Sequence, residues 1–116
     1  MTIRDMYAAI GSDYDAVLSR LMKDSLVQRL VLKYPDDKSF EKLTQCLKDK
    51  DYEEAFNAVH TIKGLAGNLG FDRLGKSASD LCEELRAKRY DNLDALYTAV
   101  EQDQETVLDY IEHLDK

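Results

Sequence analysis

The sequence predicts an all-α fold, an antiparallel up-down four-helix bundle with additional short N-terminal helices. Three observations carry that expectation. Apolar residues recur at threes and fours along nearly the whole chain, and alternating runs of the kind that make strands are nearly absent. A single proline in 116 residues leaves few forced breaks. The turns between the later periodic stretches are very short, and short connections make neighbouring helices antiparallel.

The elements follow in chain order. A short helix is expected from Ile3 to Ile10, ended by Gly11. Ser12 with Asp15 three residues later has the pattern of a capping box. The helix after it places Tyr14, Val17, Leu18, Leu21 and Met22 on one face. A third helix, Ser25 to Lys33, turns Leu26, Val27, Leu30 and Val31 inward, and Tyr34-Pro35 stops it because a residue before proline is pushed out of the α region. Asp36 or Asp37 caps the next helix, with Phe40, Leu43 and Leu47 along one stripe. Asp51 and Glu54 form a second capping box, opening a long helix from Tyr52 to Leu69. Gly70 then reads as the glycine of a Schellman end, with Phe71 as its hydrophobic contact. Asp72 starts a helix that buries Leu74, Ala78, Leu81 and Leu85. Asp91 starts the last, with Leu93, Leu96, Val100, Val107, Ile111 and Leu114 inward. The expected organisation is one domain over residues 1–116, with the bundle at about 37–114 and accessory helices at about 3–34 across one end or side of it.

Composition narrows the function. The net charge is −7, and no basic cluster interrupts it. Nucleic acid is excluded as a partner, because binding it requires a basic face that displaces counterions. An anionic membrane surface is excluded for the same reason. No apolar run reaches the length of a membrane span, and the first residues lack the core of a signal peptide, so the expected location is the cytoplasm. The two cysteines, Cys46 and Cys82, fit neither a disulfide framework nor, with His60 and His113, a zinc-ligand spacing. They read as reduced thiols at core edges, and no metal is expected.

Four of the five glycines, Gly64, Gly67, Gly70 and Gly75, fall just after His60. Gly70 has a capping explanation. Gly64 and Gly67 lie inside a helix, where each costs about 1 kcal/mol relative to alanine. Tight helix packing is one reason to accept that cost, and it is the expected reason at Gly75. Close approach of another molecule is the other. At 100° per residue, Ala55, Phe56, Val59, Ile62 and Ala66 set the core face. His60 falls one step off it, with Gly64 and Gly67 on the same shoulder and Lys63 between that shoulder and the core. A neutral imidazole nitrogen is a nucleophile near neutral pH. If it takes up a phosphoryl group, Lys63 one turn along offsets the new charge. The missing side chains at Gly64 and Gly67 leave room for a partner's reacting group. His113 has no such company.

The stretch from Ala58 to Phe71, Ala-Val-His-Thr-Ile-Lys-Gly-Leu-Ala-Gly-Asn-Leu-Gly-Phe, closely resembles the signature of histidine-containing phosphotransfer (HPt) domains. Leu74, Leu81, Glu84 and Leu85 continue the match, which is strong over residues 52–87. The resemblance implies a four-helix bundle that relays phosphoryl groups in two-component signalling. It implies that His60 is phosphorylated at Nε2, that Lys63 is the phosphate-side lysine, and that Gly64, with Gly67, admits the partner. The implied partner is the receiver domain of a response regulator, including the receiver of a hybrid histidine kinase. That receiver brings its own aspartate and magnesium ion. The chain itself is then a monomeric intermediate with no cofactor and no ATP-binding or hydrolytic machinery, not an enzyme. In one respect the sequence departs from the pattern. Many members place a Glu or Gln on the next helix to hydrogen-bond the other imidazole nitrogen. Here that position is Cys82, and a thiol is a weak partner. Ser79 one turn earlier, Glu83 or water is left for the role. Two other readings are the isolated phosphotransfer domain of a chemotaxis-type kinase and a non-catalytic helical adaptor that keeps the fold. Intact His60, Lys63 and Gly64 argue against the adaptor.

Overall fold

The computed structural model describes residues Met1–Asp115 and is helical throughout, with no strand among the described residues. Helices α4 (Ser39–Lys48), α5 (Tyr52–Leu69), α6 (Asp72–Arg86) and α7 (Leu93–Glu112) form the expected antiparallel bundle. Each packs on the next, and the ring closes where the Phe40 and Tyr97 rings stack at 5.8 Å and the Thr44 and Tyr97 hydroxyls hydrogen-bond at 2.7 Å. The core between them holds Leu43, Ala55, Val59, Ile62, Ala66, Leu74, Ala78, Leu81 and Val100, all essentially inaccessible. At about 25 cal/mol per Å² of apolar surface, this shared burial, more than helix propensity, holds the bundle together.

Three shorter helices, α1 (Ile3–Ala9), α2 (Tyr14–Leu21) and α3 (Asp24–Lys33), precede the bundle. They cover the end where α5 and α7 finish. Tyr7 and Arg20 reach the last turn of α5, and Met1 and Gln28 reach Asp115 just beyond α7. A 3-10 turn, Tyr34–Asp36, carries the chain from α3 into the bundle. Within it the buried Tyr34 hydroxyl donates to Gln104 at 2.6 Å, so neither polar group is left unpaired in the core.

Local details differ from the expectation in ways the chemistry explains. The N-cap of α2 is Asp13, whose carboxylate accepts from the Ala16 amide at 3.2 Å, and not Ser12. The Ser12 hydroxyl instead accepts from the Asp72 amide at 3.4 Å, capping a helix distant in sequence. Met22 is not on the inner face. It ends α2 in the left-handed conformation, φ 77°, and is 78% exposed. Asp51 accepts from the Glu54 amide, but Glu54 does not complete a capping box. Its carboxylate lies 2.8 Å from Lys42 of α4, tying α4 to α5. Of the two candidates before α4, Asp37 acts, accepting from the Ser39 amide at 2.8 Å.

Candidate functional site

The site is built on α5, whose two ends are fixed by caps. Asp51 takes the Glu54 amide at the N-terminus. At the C-terminus Gly70 adopts φ 71°, and the amides of Gly70 and Phe71 both return to the Ala66 carbonyl. A Cβ built on Gly70 would stand 2.3 Å from Cγ2 of Val17, so a side chain is excluded by space as well as by φ. Phe71 beyond it is buried, packing edge-on against the Tyr34 ring.

His60 lies at the middle of this fixed rod and is exposed. The core face of α5 is rotated from the one the sequence suggested, with Ala58 and Leu69 buried beside Ala55, Val59, Ile62 and Ala66. Phe56 is only half-buried, lying under the Arg86 guanidinium of α6 at 5.5 Å from its ring centre. With Phe56 displaced from the core stripe, the centre of that stripe shifts away from His60. The imidazole therefore projects well into solvent, further than the one step off the core that periodicity gave. Its ring leans on Phe56, with centroids 5.7 Å apart. No residue among those described hydrogen-bonds to it.

The rest of the patch falls around the imidazole. Lys63 is half-buried on the shoulder toward α6 and forms no ion pair among the described residues. Gly64 and Gly67 are exposed, and a Cβ built on either would meet nothing within 4 Å. Helix packing therefore does not require glycine at these two positions, which removes the competing explanation for Gly67. Gly75 is different again. A Cβ there would touch the Cβ of Ala66 at 3.7 Å, an ordinary contact, so the tight packing expected at Gly75 is not found.

The Phe56–Arg86 and Ala66–Gly75 contacts set the antiparallel register of α5 and α6. Interpolation between them puts His60 level with Leu81 and Cys82, and Lys63 level with Ala78 and Ser79, so that Glu83 lies about one residue further along α6. Cys82 is wholly buried and makes no hydrogen bond to the imidazole. Ser79 is half-buried. Glu83 is exposed, with its carboxylate 3.6 Å from Arg86. Cys46, the other thiol, lies on α4, and burial pushes its pKa up, away from a reactive thiolate. His113 lies far along the chain, with Nδ1 2.7 Å from the Asp109 carbonyl.

Sequence reasoning placed Phe56 in the core and passed over Arg86 and Arg20. Arg86 had a signal, since a cation in the last turn of a helix faces its dipole and the neighbouring helix. Arg20 had none, because its contacts lie 47 and 48 residues away.

The family model of the Hpt domain matches residues 26–115, and the chain belongs to that family. Hpt domains are the histidine phosphotransfer modules of two-component signalling, and they interact with receiver domains. No curated protein and no solved structure matches the chain. No helix of the described residues is long and apolar enough to cross a membrane.

Proposed function

We propose that the protein is a phosphorelay intermediate that accepts and donates a phosphoryl group at Nε2 of His60. The observation that carries this is the pair of bare glycines. Gly64 and Gly67 give up helix stability beside an exposed imidazole, and no packing neighbour accounts for either.

The chemistry is a transfer between two low-barrier acceptors. The lone pair of Nε2 attacks the phosphorus of a receiver's aspartyl phosphate. The N–P bond forms as the P–O bond to the carboxylate breaks, and the electron pair leaves with the aspartate. The proton stays on Nδ1. The reverse step regenerates the neutral imidazole. Lys63 supplies a positive charge to the phosphoryl oxygens. Gly64 and Gly67 let the receiver's backbone and side chains come down to the helix surface. The receiver holds the magnesium ion and provides the in-line geometry, so the chain needs no cofactor, metal or ATP site of its own. It acts as a monomer in the cytoplasm and is not an enzyme in its own right.

Nδ1 is oriented by water or by Glu83. Cys82 is a poor candidate, being a weak donor turned into the core. The test is incubation with a panel of phosphorylated receiver domains from the same genome, with His60→Ala as control. Transfer that produces an acid-labile, alkali-stable label on the wild type alone supports the reading. Label on His60→Ala, or label that survives acid, overturns it.

A further inference from the structure

The family match begins at residue 26, inside α3, so α1 and α2 stand outside it. These two helices complete the C-terminal cap of α5. Beyond the Ala66 carbonyl, which Gly70 and Phe71 satisfy, the last turn leaves the carbonyls of Gly67, Asn68 and Leu69 without helical partners. The Tyr7 hydroxyl donates to Leu69 at 2.5 Å. Arg20 Nη2 donates to both Gly67 and Asn68, each at 2.9 Å.

A neutral donor is enough to cap a carbonyl, as Tyr7 shows. Arg20 brings a full charge as well. Arg4, Arg86 and Arg89 are each paired with a carboxylate, whereas Arg20, Arg29 and Arg73 pair with none among the described residues, and of these three Arg20 is the one held by hydrogen bonds to α5. Only one of its nitrogens is engaged by the two carbonyls, and the residue is exposed. The two carbonyls hold the guanidinium in one place without neutralising it.

That place lies on the reacting face. Gly67 is seven residues beyond His60, or about 10 Å along the axis at 1.5 Å per residue. A standard protein interface covers about 800 Å² of each partner, a disc of roughly 16 Å radius. A molecule centred on His60 therefore covers Arg20. A receiver that holds a magnesium ion does so with carboxylates, so the rim of its phosphorylation pocket is acidic.

We propose that Arg20 is a specificity-determining docking residue, which the accessory helices deliver to the end of α5 to pair with an acidic side chain at the rim of the receiver's pocket. The proposal rests on the phosphorelay reading above. It assigns α1 and α2 a function in partner choice and makes the C-terminal cap of α5 part of the docking surface. Lys63 and Arg20 then flank Gly64 and Gly67, so the bare backbone lies between two cations in a chain whose net charge is −7.

The experiment uses the full chain and the receiver domain that labels it fastest in the panel. Initial rates of transfer give KM for the receiver and the maximal rate, for wild type, Arg20→Met, Arg20→Lys and Tyr7→Phe. Arg20→Met is expected to raise KM about tenfold, the effect of losing one charge-assisted contact, and to leave the maximal rate within about twofold. Arg20→Lys keeps the charge and recovers most of the loss. Tyr7→Phe loosens the same cap without removing a charge and leaves KM unchanged. An unchanged KM in Arg20→Met overturns the proposal, as does an equal rise in Tyr7→Phe, which would reduce Arg20 to a cap. If Arg20→Met does not fold, the wild type decides. Its KM should rise between about 50 and about 300 mM salt, and a flat profile overturns the proposal. Failure of the parent reading looks different, since no receiver then labels the wild type, or His60→Ala is labelled too.

Discussion

Gly70 and the pair Gly64 and Gly67 lie within two turns of one helix and are glycine for opposite reasons. At Gly70 the fold demands it. The backbone is left-handed, and Cγ2 of Val17 occupies the space where a Cβ would go. At Gly64 and Gly67 the fold demands nothing, because a Cβ would stand in open space on a regular helix. A glycine explained by its surroundings informs on structure. A glycine that costs stability and is not explained by its surroundings points to something that comes from outside. This contrast separates the cap of α5 from its reacting face more sharply than exposure alone does.

The widest break in that contrast comes from the imidazole that precedes both kinds of glycine on α5. His60→Ala should abolish phosphoryl acceptance, while His113→Ala should retain it, read by labelling from a phosphorylated receiver. Next in size is Gly70→Ala. It combines a left-handed residue with a methyl forced into Val17, and should cost about 3 kcal/mol in urea unfolding. Transfer by the folded fraction should persist. Gly64→Gln inverts the pattern, with transfer from the receiver blocked and the unfolding midpoint held or raised. A Gly64→Gln protein that accepts phosphate at the wild-type rate would remove the close-approach role. Lys63→Ala should be milder, slowing transfer or shortening the phosphohistidine lifetime by about 1–3 kcal/mol without abolishing the label, since the lysine forms no bond to phosphorus.

How much of this was legible in the sequence depended on the range of the interaction involved. Helix α5 was readable because period, cap and stop agree locally, at Asp51 and Gly70. Helices α6 and α7 were readable from period and length, since neither N-cap residue makes a side-chain cap and α7 begins at Leu93 with Asn92, not Asp91, at its N-cap. The imidazole, the cation and the glycines fall within one helix, so their spacing alone grouped them. What was misread depends on contacts between elements. Ser12 looked like a cap for its own helix, yet its hydroxyl serves Asp72, sixty residues on. Met22 kept the apolar period of α2 after the backbone had left the helix. Phe56 kept the period of α5, and Arg86 from the next helix covers it at the surface. Arg20, an unremarked arginine in a short helix, became visible only when two carbonyls of α5 were found on its guanidinium.

The smallest effect is the most discriminating, because its sign is at issue. Gly64→Ala should stabilise the protein by about 1 kcal/mol, the full difference in helix propensity, because Gly64 is interior to α5, has open space where the methyl goes and does not have positive φ. Gly67→Ala meets the last two conditions but lies in the last turn of α5, so it should stabilise by less. Gly75→Ala should gain an amount comparable to Gly64→Ala, since its methyl would make an ordinary contact with Ala66 at 3.7 Å. Gly67→Ala has one further complication. Arg20 is bonded to the Gly67 carbonyl, and a methyl on the same residue lies near the path by which a receiver reaches that cation. Its transfer KM should therefore rise although its unfolding midpoint improves. A stabilised Gly67→Ala protein with unimpaired KM would confine partner approach to Gly64, and a destabilised one would mean that α5 is packed there against something these helices do not supply.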